Sequence, residues 1–164
     1  MPTPTLLRSR ALIAAAVALA AMAAAGAAIA DEGKHALRVP PLPKYQEECA
    51  ACHVAYPPGL LPAASWRRVM NSLPRHYGAD ASLDPATVKE LSTWLVANAG
   101  SYRRVREEPP QDRITQSAWF LRKHDEVPAR TWKLPAVKNP SNCVACHAQA
   151  DQGDFNEHNV RLPR

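Results

Sequence analysis

Apolar residues recur at helical spacing in three stretches of this chain. Trp66, Val69, Met70 and Leu73 fall on one face of a helix that Ser65 is placed to cap and that Pro74 and Gly78 end. Asp84 followed by Pro85 reads as an N-cap and first-turn pair. The helix after it sets Val88, Leu91 and Leu95 on one face, with Trp94 beside them, and stops near Gly100. Residues 114–124 predict a third helix with Ile114, Ala118, Leu121 and Trp119 turned inward. Two shorter helices are expected over residues 47–54 and from a cap at Ser141 to Ala150. No segment alternates apolar with polar positions as a half-buried strand does. Prolines fill the gaps: Pro40, Pro41 and Pro43 in an extended arm over residues 31–44, Pro57, Pro58 and Pro62 in an irregular loop, Pro109 and Pro110 at a mid-chain boundary, and Pro128, Pro135 and Pro140 further on. The predicted fold class is all-α, with long Pro-rich connections.

The N-terminus follows different rules. Arg8 and Arg10 precede an alanine-rich apolar run over residues 11–29, and Ala28-Ile29-Ala30 forms a small-residue cleavage site before Asp31 and Glu32. This is the layout of a secretory signal peptide, residues 1–30, with cleavage expected after Ala30 and a periplasmic destination. An uncleaved membrane anchor is the competing reading, because the run is nearly long enough to span a bilayer. The mild hydrophobicity of alanine and the A-x-A site favour cleavage, which leaves no segment able to hold the body in a membrane. Without those 30 of the 164 residues the body has 134, enough for one domain or two very small ones. Removing Arg8 and Arg10 from the 20 Lys and Arg leaves eighteen against 15 Asp and Glu, a formal charge of +3. That charge is spread along the chain. There is no basic stripe interleaved with aromatics, so nucleic-acid binding is not expected.

The chemistry lies in two short motifs, Cys49-Ala50-Ala51-Cys52-His53 and Cys143-Val144-Ala145-Cys146-His147, which together use all 4 cysteines. Each reads C-x-x-C-H, the attachment pattern of a c-type haem. Thiols at i and i+3 form thioethers to the two vinyl groups of one porphyrin, and the adjoining histidine ligates the iron from one face. A zinc site of four thiolates, a dithiol redox site or two disulfides would use the same cysteines. None of them gives a reason for a histidine after both pairs. Two covalently bound c-type haems are therefore expected, one held by Cys49, Cys52 and His53 and the other by Cys143, Cys146 and His147. Large apolar cofactors would also relieve the shortage of core in so small a body. The domain division that follows is an N-terminal haem-binding half, residues 31–108, and a C-terminal haem-binding half, residues 109–164.

The second axial ligand decides what such irons do. The body has one methionine, Met70, and four histidines outside the motifs: His35, His76, His124 and His158. His35 falls in the N-terminal arm and His158 in a polar tail. His76 follows an apolar helix in a turn bounded by Pro74 and Gly78, and His124 ends the helix over 114–124. The simplest pairing is His53 with His76 and His147 with His124. Met70 is the rival ligand at the first haem and His158 at the second.

These features resemble the bacterial dihaem cytochrome c family that includes the electron donor to an oxygen-binding c-type cytochrome, the sphaeroides haem protein. The resemblance rests on the first motif, Trp66-Arg67-Arg68-Val69-Met70, His76-Tyr77-Gly78-Ala79-Asp80-Ala81-Ser82-Leu83, Trp94-Leu95, Asn98-Ala99 and Arg113-Ile114-Thr115. It continues through Trp119-Phe120, Lys123-His124, Asn142 with the second motif, and Gly153-Asp154-Phe155. It implies two small haem-binding halves with bis-histidine iron in both, and supports His76 and His124 as the distal ligands. Redox proteins are the partners expected, with an oxygen-binding c-type cytochrome and a membrane cytochrome donor as candidates that the motifs themselves do not encode.

The function expected is single-electron transfer between redox partners in the periplasm, by a carrier and not an enzyme. Two alternatives use the same motifs. A small haem peroxidase or an oxygen- or nitric-oxide-reacting haem needs one five-coordinate iron with an acid/base group over it. A dihaem subunit of a larger reductase would share the ligation.

Overall fold

In a computed structural model of the protein, the described residues are 39–163. The expected signal peptide, its cleavage site, His35 and most of the N-terminal arm lie outside them. The described residues form four α-helices: α1 (Pro43–Cys49), α2 (Ala63–Asn71), α3 (Pro85–Ala97) and α4 (Ala118–Lys123), joined by irregular chain and short 3₁₀ turns. Among the described residues there is no strand. Two isolated antiparallel bridges, His76 with Ala79 and His147 with Val160, are the sheet-like pairings.

Proline and aspartate set where the helices begin. Asp84 accepts hydrogen bonds from the amides of Ala86 (3.0 Å) and Thr87 (3.1 Å), with Pro85 in the first turn, as the sequence led one to expect. Pro43 opens α1 in the same way, since a first-turn proline gives up no intrahelical hydrogen bond. The helix therefore starts earlier than the expected 47–54 and stops at Cys49, leaving the rest of the first motif in a turn. Ser65 does not cap α2. Pro62 occupies the cap position, and Ser65 is fully buried within the helix.

The helix expected over 114–124 is divided. Ile114–Gln116 is a 3₁₀ turn, and Ser117 caps α4 by accepting from the Phe120 amide at 3.3 Å while its hydroxyl donates to Ile114 O at 2.7 Å. Recapping at Ser117 rotates the face that is buried. Phe120 is buried, whereas Leu121 is 58% exposed and Ala118 is exposed as well, contrary to their expected inward placement. The helix expected from Ser141 to Ala150 reduces to 3₁₀ turns at Cys143–Ala145 and Ala150–Gln152. The cause lies in the backbone pairing. A helix would give the Cys146 carbonyl to the Ala150 amide, but that carbonyl accepts from Arg161 N at 2.9 Å, and Ala150 N bonds to His147 O at 3.0 Å.

The main core lies where α2 crosses α3 and α1 leans on α3. It gathers Tyr45, Leu61, Trp66, Met70, Leu73, Leu91 and Leu95. Leu91 and Leu95 are fully buried, each contributing about 1.5–3 kcal/mol of apolar burial. Trp66 also donates its indole N–H to Pro58 O at 2.7 Å, which fastens the proline-rich loop to α2. The end of α3 closes on the same loop: Gly100 N donates to Leu61 O at 2.9 Å. A Cβ at Gly100 would lie 2.5 Å from Gly59 O and 2.6 Å from Val105 Cγ1, so the chain passes there only as glycine. Arg68 on α2 reaches the mid-chain prolines, binding Asp112 through Nε (2.9 Å) and Nη2 (2.6 Å) and Glu108 through Nη2 (2.6 Å). Beyond residue 103 the buried apolar side chains are scattered, Val105, Phe120, Val137 and Ala150 among them.

Candidate functional site

Each C-x-x-C-H motif sits in a turn whose backbone is held from outside. Cys49 is the last residue of α1, and Ala50 N closes the helix on Gln46 O. Tyr45, one turn earlier, donates its hydroxyl to Tyr56 O at 2.7 Å and rests against Trp94. The chain that follows His53 is thereby tied to α1 and α3. The second motif follows an Asx-type turn in which Asn139 Oδ1 accepts from the Ser141 amide at 2.9 Å and from the Ser141 hydroxyl. Asn142 Nδ2 then donates to Val137 O at 3.0 Å, and His147 N closes a single helical turn on Cys143 O at 2.8 Å. None of the four cysteines is in a disulfide. Burial pushes the Cys49 and Cys143 thiols up to about 11.

His76 and His124, the distal ligands expected from the sequence, each lie near one motif histidine. His76 follows the 3₁₀ turn Leu73–Arg75 and enters a tight reversal in which Ala79 N returns to His76 O at 3.0 Å. That reversal needs two left-handed residues, Tyr77 (φ +50°) and Gly78 (φ +100°), the pattern of a type I′ turn. Tyr77 is fixed by its hydroxyl, which donates to Gln111 O (3.1 Å) and Asp112 O (3.0 Å), and by the Arg113 guanidinium 4.4 Å above its ring. His124 is the C-cap of α4. The ring centroids of His53 and His76 are 6.2 Å apart with an interplanar angle of 21°. Those of His124 and His147 are 6.1 Å apart at 72°. Met70 belongs to the α2–α3 core and His158 is exposed.

Those separations test whether a haem iron fits. An imidazole nitrogen sits about 2 Å from a bound metal and about 1.1 Å from its own ring centre, so two imidazoles on opposite sides of one metal have centres about 6.2 Å apart, and two at a tetrahedral angle about 5 Å. Both pairs match the former spacing. Nitrogen availability agrees with it. His53 Nδ1 donates to Val54 O at 2.7 Å, and His124 Nδ1 donates to Phe120 O at 2.8 Å, which leaves Nε2 of each ring as the lone-pair donor. Burial, and then the neighbouring imidazole, lower the pKa of His76 and of His147, with Asp154 acting in the opposite sense on His147. Both effects favour the neutral form that binds a metal. His147 Nδ1 and Trp119 Nε1 are buried without a hydrogen-bond partner among the described residues. Such orphans are rare. Among the described residues no three or more His, Cys, Asp or Glu gather at one point, whereas a shared zinc would bring the four thiols together.

Aromatic side chains frame both pairs, and their roles were not read from the sequence. Tyr56 stacks on His53 at 4.7 Å and 17°, and its hydroxyl donates to Ser141 O at 2.7 Å, so one residue touches the surroundings of both motifs. Burial raises its pKa to about 12. Phe120 stacks on His124 at 4.0 Å and 21°, Trp132 lies 5.9 Å from the same ring, and Phe155 lies 5.3 Å from His147. For Tyr56 the available signal was an aromatic three residues after a motif histidine. The neighbours of His124 are set by tertiary packing alone.

The matching family model is dihaem cytochrome c, over residues 45–155. A diheme cytochrome type c from Shewanella baltica OS155, known from an X-ray structure, is 39% identical and superposes with a TM-score of 0.67, covering 76% of this chain and 95% of that one. Two structures of the diheme cytochrome c from Rhodobacter sphaeroides are each 44% identical. They have TM-scores of 0.62 and 0.64, and cover 72% and 71% of this chain and 100% and 98% of theirs. No curated protein matches the chain.

Proposed function

The chain belongs to the dihaem cytochrome c family, with two c-type haems and the role of a haem electron carrier, and on that footing we propose that it moves single electrons in the periplasm through two bis-histidine irons. His53 and His76 hold the first, His147 and His124 the second. The observation that carries this reading is the spacing of the two imidazole pairs, 6.2 and 6.1 Å between ring centres.

The chain's own residues divide the work. Cys49 with Cys52, and Cys143 with Cys146, anchor one porphyrin each, and covalent anchoring keeps the cofactor through repeated redox cycles. Bound there, each haem supplies a one-electron couple. His53 with His76, and His147 with His124, would hold the two irons and leave no open position for dioxygen or peroxide, so the oxidation state would change without a change of ligand. Val54 O and Phe120 O hold the imidazole Nδ1 protons and so keep Nε2 directed to the metal. The two halves, residues 31–108 and 109–164, carry one haem each.

Export supports the setting. Residues 1–30 read as a signal peptide, and among the described residues no helix is long and apolar enough to cross a membrane. The partners we propose are redox proteins, an oxygen-binding c-type cytochrome on the accepting side and a membrane cytochrome as donor. An enzyme reading would need an open iron, and so either His76 or His124 away from its partner.

The test is carbon monoxide binding to the dithionite-reduced holoprotein, followed optically. The proposal predicts no rapid spectral change in the wild type. His76→Ala and His124→Ala should each open one haem to the gas. Rapid binding by the wild type would overturn it.

A further inference from the structure

The two imidazole pairs match in spacing and differ in orientation. At the first pair the ring planes are 21° apart, and at the second they are 72° apart. Local contacts account for the second angle. His124 is held in three ways: its Nδ1 donates to Phe120 O at 2.8 Å, its ring lies flat on the Phe120 ring at 4.0 Å, and Trp132 packs at 5.9 Å. Phe120 itself is 7% exposed and braced by Trp119 at 6.1 Å and Trp132 at 6.3 Å. The imidazole of His124 therefore cannot turn about its bond to a metal without leaving the face of Phe120. His53 is stacked instead on Tyr56, and its plane runs nearly parallel to that of His76.

We propose that Phe120 is a positioning residue that holds His124 nearly perpendicular to His147, and so makes the second haem electronically distinct from the first. This rests on the bis-histidine reading above. The reason is orbital overlap. Two parallel imidazoles donate π density into the same iron d orbital, which separates the two dπ levels and stabilises the ferric ion. Two perpendicular imidazoles donate into different orbitals and leave the levels nearly equal. Near-equal levels retain orbital angular momentum, which spreads the g values of a low-spin ferric ion. They also stabilise Fe(III) less, so the second haem is the easier of the two to reduce. Ligand orientation of this kind is a second-sphere lever on a haem.

The test is low-temperature electron paramagnetic resonance on the oxidised holoprotein. Two low-spin species are expected in equal amounts, one with three resolved g values and one with a single feature at much larger g. On stepwise reduction the large-g feature should vanish first. Phe120→Leu should move that feature toward the rhombic type and leave the other signal unchanged, and Phe120→Tyr, which keeps a ring over His124, should retain it. If Phe120→Leu does not fold, the wild-type spectrum and Phe120→Tyr still decide the matter. Two rhombic species in the wild type, a Phe120→Leu spectrum identical to wild type, or loss of the rhombic signal first would overturn the inference while leaving bis-histidine ligation in place. A high-spin signal in the wild type would instead remove the ligation reading beneath it.

Discussion

Gly78→Ala isolates the backbone turn that presents His76. A Cβ at this position meets nothing within 4 Å, so the substitution introduces no clash. What resists it is the backbone, held at φ +100° directly after Tyr77 at +50°. An L-residue in left-handed conformation costs about 1–2 kcal/mol, and loss of glycine's freedom in the unfolded chain returns about 0.4–1 kcal/mol. At mid-range these leave a net destabilisation of about 0.8 kcal/mol, or about 3 °C in Tm for a body of this size. The turn has little room to relax, because Ala79 N is bonded to His76 O and the Tyr77 hydroxyl to the 111–112 backbone. Strain released by shifting the turn therefore appears at His76. Thermal melts followed by far-ultraviolet circular dichroism and by the Soret band should show one haem turning high-spin before the fold is lost. Gly78→Asn, which tolerates left-handed backbone better, should lie between glycine and alanine. An alanine variant as stable as wild type, or an asparagine variant as damaged as alanine, would refute this reasoning.

Three further outcomes follow from the packing. Gly100→Ala must push against Gly59 O and Val105 Cγ1, so it should lower stability by about 1–3 kcal/mol, a larger Tm loss than Gly78→Ala in the same melts. Tyr56→Phe removes the hydroxyl bond to Ser141 O and should cost about 0.5–1 kcal/mol with an unchanged low-spin spectrum, because the stack on His53 survives; a high-spin component would contradict this. The Arg68 hydrogen bond is the main cause of the depressed pKa of Asp112. Its stabilisation should therefore be complete above the ordinary carboxylate pKa of about 3.9 and fade as pH falls through the depressed value, so the Tm difference between wild type and Asp112→Asn should shrink steadily below pH about 4.

Chemistry was easier to read from this sequence than secondary structure. The four motif cysteines and the four histidines at 53, 76, 124 and 147 stand out because haem attachment demands fixed residue types at fixed spacing, and because the body has few other iron ligands. The ring centres of His53 and His76 lie 6.2 Å apart and those of His124 and His147 6.1 Å apart, and their sharing of an iron is the proposal made above. Helices bounded by a strong local signal were legible too, as Asp84-Pro85 shows for α3. The second half was not. Its expected helices broke at Ser117, which competes for the backbone as a new cap, and at Cys146, whose carbonyl is taken by Arg161 from fifteen residues away. Leu121 carried a correct apolar period into a helix that begins four residues later than expected, and so faces outward. Where cofactors rather than side chains fill an interior, periodicity loses its usual meaning. The stack of Phe120 on His124 has no sequence signature beyond the i, i+4 spacing that any helix offers.

A crystal structure of the holoprotein, with an anomalous difference map collected at the iron edge, tests the central claim most directly. Two iron peaks are expected, one between His53 and His76 and one between His147 and His124, each within bonding distance of both imidazoles. An iron facing Met70, or one with a motif histidine on one side and no protein ligand on the other, would contradict it.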